Sequence, residues 1–298
     1  MVNAERQQGR QIGSDLKTML YRFRVGRRAL IFIALVIFTF LTLFPFAWMA
    51  VTSVREGSEI YKVASHPFAI KSITLDHYWL LLTETKFIRW MANSAIVAIT
   101  ASIIALVVGV LAAYSLGRLE YKGGSLVALL IFATYLIPPA LLFIPLSQIV
   151  NLLGIANSLW SLIFTYLTFM VPFIAWMLSS YFQTLPTELA DAARIDGASR
   201  LRAMLVVDLP LILPGVVSVF FFAFTLSWSE YLYATTFLRT DSKLPVAVGV
   251  VNALQVGDVF FWGQLMAGAL LGSVPVVIIY SFLMDYYLAG LTAGAVKG

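Results

Sequence analysis

The chain has 298 residues, 60% of them hydrophobic and only 12% charged, with a formal net charge of +5. Soluble domains carry about 25% charged residues, so this composition excludes an ordinary water-soluble enzyme and points to lipid as the main solvent. Cysteine is absent, which excludes disulfides and thiolate metal sites.

Residues 1–28 form a basic tail that carries Arg6, Arg10, Lys17, Arg22, Arg24, Arg27 and Arg28. A membrane-spanning helix needs about 20 mostly apolar residues. The first uncharged run, Ala29 to Val54, has that length. It exceeds the ~7–15 apolar residues of a secretory signal, so an uncleaved first helix is expected. Further uncharged runs extend from Ala92 to Gly117, Gly123 to Thr187, Leu209 to Ser229 and Val259 to Met284. The second of these is too long for one crossing, and its Asn151–Ser158 segment, NLLGIANS, reads as a turn between two helices. Six helices follow, near 29–53, 92–116, 125–149, 157–181, 211–236 and 264–288, inside a membrane domain spanning 29–288.

Lysine and arginine asymmetry orients the chain. With the tail inside, cytoplasmic segments hold 13 basic residues and external ones 7. Both termini, the 289–298 tail and the 181–210 loop then lie in the cytoplasm, and 54–89 and 236–263 lie outside. The external segments contain Trp79, Phe87, Trp90 and Phe260-Phe261-Trp262, aromatics that suit either lipid anchoring or a docking partner.

The 181–210 loop concentrates charge inside an apolar chain. Thr184 or Thr187 can cap a short helix, with Glu188 and Asp191 near its start, where the helix dipole favours negative charge. At 3.6 residues per turn, Leu189, Ala192, Ala193 and Asp196 share one face, small enough for another surface to approach. Gly197 follows, where a chain leaving a helix often needs a left-handed residue. A second short helix begins at Ala198-Ser199, and Pro210 is expected to end it before the fifth span. This pattern fits a docking helix–turn–helix and equally a solvated connector.

A family resemblance favours the first. Asp191-Ala192-Ala193, three residues, Gly197, nine residues and Val207-Asp208-Leu209-Pro210 resemble the EAA signature of ABC importer permeases, with Asp for Glu and Val for Ile. Asn93-Ser94, Ala113-Tyr114 with Arg118, Ile144-Pro145 and Leu185-Pro186 resemble sugar-importer permeases. The ending from Gly290 to Gly298 resembles the MalG-like branch, although Asp285-Tyr286-Tyr287 replaces the usual Gln-Arg lead-in. The resemblance implies an all-α integral membrane protein of the type I ABC importer permease fold. Its six transmembrane helices carry a cytoplasmic coupling helix between helices 4 and 5, which seats on an ATPase subunit. Glu188, Leu189, Asp191, Ala192, Ala193, Asp196, Gly197 and Pro210 are the coupling residues it implies. It also places an inserting loop in 236–263.

The chain's own chemistry agrees. No phosphate-cradling Gly-x-x-x-x-Gly-Lys-Ser/Thr string occurs, so no catalytic site, bound cofactor or metal is expected. The two histidines, His66 and His77, both fall in the first external segment. ATP and Mg are expected on a partner chain. In the fifth helix, SWSEYLY places Ser227, Trp228, Glu230 and Tyr231 as candidates for the translocation path. An ionisable group in a span is a functional hypothesis, and flat aromatic rings suit a sugar. Interfacial anchoring explains the same aromatics.

The implied function is the permease subunit of an ATP-driven, binding-protein-dependent carbohydrate importer of the bacterial inner membrane. The implied partners are a second homologous permease, two ATP-binding subunits, a periplasmic or extracellular solute-binding protein, the bilayer and a sugar, with no nucleic acid. The same importer carrying a phosphorylated polyol or polyamine is the first alternative. An ion-gradient secondary transporter is the remote one, since no inverted repeat with broken midplane helices is evident, although Pro138-Pro139 and Pro145 can break the third helix.

Overall fold

A computed structural model of the chain describes the backbone of residues 2–61, 71–256 and 259–295, and the side chains of 26–61, 71–255, 259–282 and 284. Its core is a pair of helices, α4 (Phe87–Arg118) and α7 (Leu159–Thr184), packed along their length. The buried stripe of α4 is small: Ala98, Ala101, Ala105, Gly109 and Ala113. The buried stripe of α7 is bulky: Tyr166, Met170, Ile174, Leu178 and Phe182. Lipid supplies no hydrophobic drive between helices, so association rests on close packing, and small residues let the backbones approach. Gly109 shows how close: a Cβ there would stand 2.4 Å from Cγ2 of Ile174.

Before this pair the chain forms α1 (Val2–Ser53), α2 (Gly57–Ile60) and α3 (Asp76–Thr83). The first helix is longer than expected, its backbone running unbroken through the basic tail. From Leu30 to Phe46 its apolar side chains are largely exposed, as a lipid- or partner-facing span requires.

The third span corrects the sequence expectation. Residues 125–149 are not one helix but α5 (Gly124–Tyr135) and α6 (Pro139–Leu152), bent by 95°. Pro138 and Pro139 remove two consecutive amide donors and disfavour helical backbone in the residue before them. The Tyr233 hydroxyl donates to the Pro139 carbonyl at 2.8 Å and fixes the bend. The turn expected at 151–158 is present, with Gly154 at φ 66° and Asn157 at φ 54°.

After α7 come α8 (Thr187–Ile195), α9 (Arg200–Ala203), a π-helical stretch over Met204–Asp208 and α10 (Leu209–Leu211). The fifth span is α11 (Leu213–Trp228), at 84° to the preceding helix, then α12 (Leu232–Phe237). The continuous helix expected over 211–236 is therefore broken at 229–231. Pro210 does not end the loop helix as expected. The widened π turn precedes it and the chain bends at Ile212.

The segment 236–263, where the resemblance places an inserting loop, has secondary structure of its own. It contains α13 (Val246–Leu254), which buries Val246, Val248, Gly249, Val250 and Leu254, then a hairpin pairing Gln255–Val256 with Val259–Phe260. The last helix, α14 (Trp262–Ala295), packs on α1, α11 and α13 and passes the expected limit of 288. His66, the side chains of Asp285-Tyr286-Tyr287 and the tail resemblance lie outside the described side chains. Among the described residues, four helices are long and apolar enough to cross a membrane, six if each bent pair counts as one span.

Candidate functional site: the coupling loop and the outer helix break

The loop between α7 and α11 is a built helix–turn–helix. Thr187 is the first residue of α8, so neither threonine caps it as expected. Pro186 holds the cap position, and the Thr184 hydroxyl donates back to the Tyr181 carbonyl at 2.8 Å. The helix ends in a Schellman turn: the amide of Gly197 donates to the Arg194 carbonyl and that of Ala198 to the Ala193 carbonyl. Gly197 sits at φ +90° with open space around its missing Cβ. A side chain there has room but costs about 1–2 kcal/mol of backbone strain. The Ser199 hydroxyl caps α9 by accepting from the Arg202 amide at 3.3 Å.

Glu188, Leu189, Asp191 and Ala192 are exposed on α8, as is Asp196 at its end, and Ala193 is half-buried. Ile195, which sequence reading did not single out, is 86% exposed. Leu201 on α9 and Leu205 and Val206 in the π-helical stretch are exposed as well. The Asp191–Arg194 ion pair, at 3.2 Å, is solvent-exposed and contributes little. Exposed apolar surface of this kind marks a contact with protein or membrane.

Two residues that hold the loop were not among its expected functional residues. Arg118 closes α4 and pairs with Asp208 at 2.8 Å, with their side chains 6% and 0% exposed. The resemblance had marked Arg118 only as a family match, and Asp208 lay inside the signature without a role.

The expected path residues do not converge. Trp228 is buried, its indole N–H donates to the Gly272 carbonyl at 3.1 Å, and it stacks on Phe224. Ser227 is buried, and among the described residues its hydroxyl has no partner. Tyr231 is exposed. The Glu230 carboxylate accepts from the Tyr166 hydroxyl at 2.8 Å and from the amides of Tyr233 and Ala234 at 2.8 and 3.2 Å. It therefore caps α12 and ties the break to α7. Trp228 borders a cleft of about 720 Å³ between α11, α13, α14 and Phe46. Thr225, Ser229 and Ser273 are the few hydroxyls on its largely apolar wall, which is a poor match for a sugar's many hydroxyls.

Replacing Glu230 with glutamine should therefore destabilise the chain without weakening solute binding. A glutamine turns an N–H donor toward a site filled by three donors, costing about 1–2 kcal/mol. Thermal unfolding in detergent checks it. A lost solute affinity at unchanged stability would instead place the carboxylate on the solute.

Near the start of α4, Asn93 donates to the carbonyls of Ser242 and Leu244, and Ser94 accepts from the first amide of α13. Trp90 and Phe87, candidate surface aromatics by sequence, are buried there, and Trp79 is 69% exposed. Asn157 clips the α6–α7 turn to the same segment by accepting from the amides of Arg239 and Thr240. Among the described residues no His/Asp/Glu cluster could hold a metal ion.

Comparison with known proteins agrees with this geometry. The inner membrane ABC transporter permease protein YcjP of Escherichia coli is 36% identical over 267 residues, covering 89% of this chain and 94% of that protein. The trehalose/maltose transport system permease protein MalG of Thermococcus litoralis is 32% identical over 279 residues, covering 93% and 99%. In fold the chain is similar to a subunit of a bacterial ABC transporter that imports alginate, with a TM-score of 0.74 at 20% identity, covering 86% of this chain and 94% of that one. Residues 105–292 match the family described as the binding-protein-dependent transport system inner membrane component. The chain, a multi-pass inner-membrane protein, belongs to that family.

Proposed function

We propose that the chain is the non-catalytic permease subunit of an ATP-driven carbohydrate importer. It pairs with a second, related permease, two cytoplasmic ATP-binding subunits that hold ATP and Mg, and an external solute-binding protein. The observation that carries this reading is the α8 surface: Leu189, Ala192 and Ile195 stand exposed on a helix whose flanking segments a buried ion pair ties together. A carbohydrate cargo is supported by the likeness to the trehalose/maltose permease. Closure of the ATPase dimer moves the coupling loops together, and the spans open outward to receive solute. Family membership leaves no ground for an ion-gradient transporter.

Both termini and the α8 loop face the cytoplasm in this reading. The chain has no cysteine, so single cysteines can be introduced at Ser199 and Asp241. On intact cells an impermeant thiol reagent should label Asp241→Cys and spare Ser199→Cys. Labelling of Ser199→Cys from outside would overturn the orientation. The cargo is tested by purifying the assembled complex and identifying its bound solute by mass spectrometry. A hexose-based solute is expected, and a phosphorylated polyol or a polyamine would overturn the carbohydrate assignment while leaving the importer class intact.

A further inference from the structure

The last turn of α4 grips the coupling loop at three places. Arg118 Nη1 donates to the Leu185 carbonyl at 2.9 Å, and Nη2 donates to the Pro186 carbonyl at 3.0 Å. Nη2 also donates to Asp208 Oδ1 at 2.8 Å. Leu185 and Pro186 stand just before α8, and Asp208 closes the π-helical stretch, so one guanidinium ties the beginning of the loop to its end. One turn earlier the Tyr114 hydroxyl reaches the Arg200 carbonyl at 3.5 Å, and its ring meets Phe182 edge-on. Between them Gly117 lets α4 approach α7 so closely that a Cβ would stand 2.8 Å from the Ser179 carbonyl oxygen.

The covalent routes out of the loop are weak by comparison. Toward α7 the chain passes through the extended Leu185 and Pro186. Toward α11 it turns through 84°. Both are places where a push on α8 would be absorbed as a change in backbone angle. The guanidinium contacts are charge-assisted, the Arg118 side chain is only 6% exposed, and an arginine fork satisfies several acceptors at once where a lysine meets fewer. Opening the pair would leave two lone charges buried, so it stays closed while the loop moves.

We propose that Arg118, held by Asp208, is the positioning residue that locks the coupling loop to α4, so that ATP-driven displacement of α8 passes directly to α4 and its partner α7. The loop, α4 and α7 then move as one body, and the bends at 185–186 and 212 are bypassed. This rests on the importer reading above.

Paired spin labels test it on the assembled complex. Cysteines at Glu120, just beyond α4, and at Arg202, on the loop, are both exposed sites in a chain free of other cysteines. In the otherwise unaltered complex the interlabel distance should be narrow and the same in the nucleotide-free and the ATP–Mg–vanadate-trapped states. In the double variant Arg118→Met, Asp208→Leu, which leaves no lone buried charge, the distribution should broaden and shift on trapping. A shift on trapping with the pair intact overturns the proposal, as does a double variant that stays narrow and unshifted. Should the double variant fail to assemble, Arg118→Lys takes its place, since it keeps the charge but reaches fewer of the three acceptors. An unbroadened, unshifted distance there overturns the proposal equally. A wild-type chain that recruits no ATPase overturns the importer reading itself, and this inference with it.

Discussion

Replacing Asp208 by leucine should lower the unfolding free energy of the chain by about 3–5 kcal/mol, because it strands the Arg118 guanidinium in a water-free site. Asp208 is fully buried and Arg118 nearly so. Removing both charges together, with Arg118→Met, should recover most of that loss, since apolar groups of similar volume often replace a buried pair at little cost. Denaturant unfolding of the purified chain distinguishes the cases. Equal losses in the single and double variants would mean that packing, and not an uncompensated charge, dominates at this position. Stability and coupling separate here: the double variant is expected to be folded and yet loosely coupled.

Gly117→Val should have the second large effect. The added Cβ would stand 2.8 Å from both the Ser179 carbonyl oxygen and the Phe182 Cβ. Backbone cannot rotate out of the way as a side-chain tip can, so α4 and α7 must separate at the ends that adjoin the 185–208 loop. Overpacking of this kind costs about 1–3 kcal/mol, and it displaces Arg118 on the adjoining residue. Gly26→Val is the control, since nothing lies within 4 Å of a Cβ there. Valine also has the better helix propensity, so this variant should unfold no earlier than the parent. If the two variants unfold alike, α4 and α7 are not in close contact at Gly117.

Much of the fold was legible because a run of apolar residues long enough to cross lipid has few other uses. The turn at 151–158 and the left-handed Gly197 were legible from residue type, since both need backbone that few residues adopt. The breaks at 136–138 and 229–231 were harder. Hydropathy averages across a bend, and only the Pro138-Pro139 pair signalled the first. The second has no proline; it is held by Glu230 accepting from Tyr166, 64 positions away in sequence. The same distance problem hid the latch, because Arg118 and Asp208 are 90 positions apart, and a charge near a loop reads as solvated until its partner is known. Sequence pattern put Ser227, Trp228, Glu230 and Tyr231 on one short stretch. The helix break sends them in different directions, so proximity in sequence gave no shared site.

In the proposed importer α8 seats on an ATPase. Ala192 is exposed on that helix, and a cysteine there is the chain's only thiol. Crosslinking of Ala192→Cys in membranes that contain the assembled complex should join the chain to the ATPase subunit, with a yield that changes when ATP is added. A cysteine that reacts freely with a small thiol reagent in the same membranes, yet never crosslinks to an ATPase bearing cysteines across its membrane-facing surface, would contradict the account.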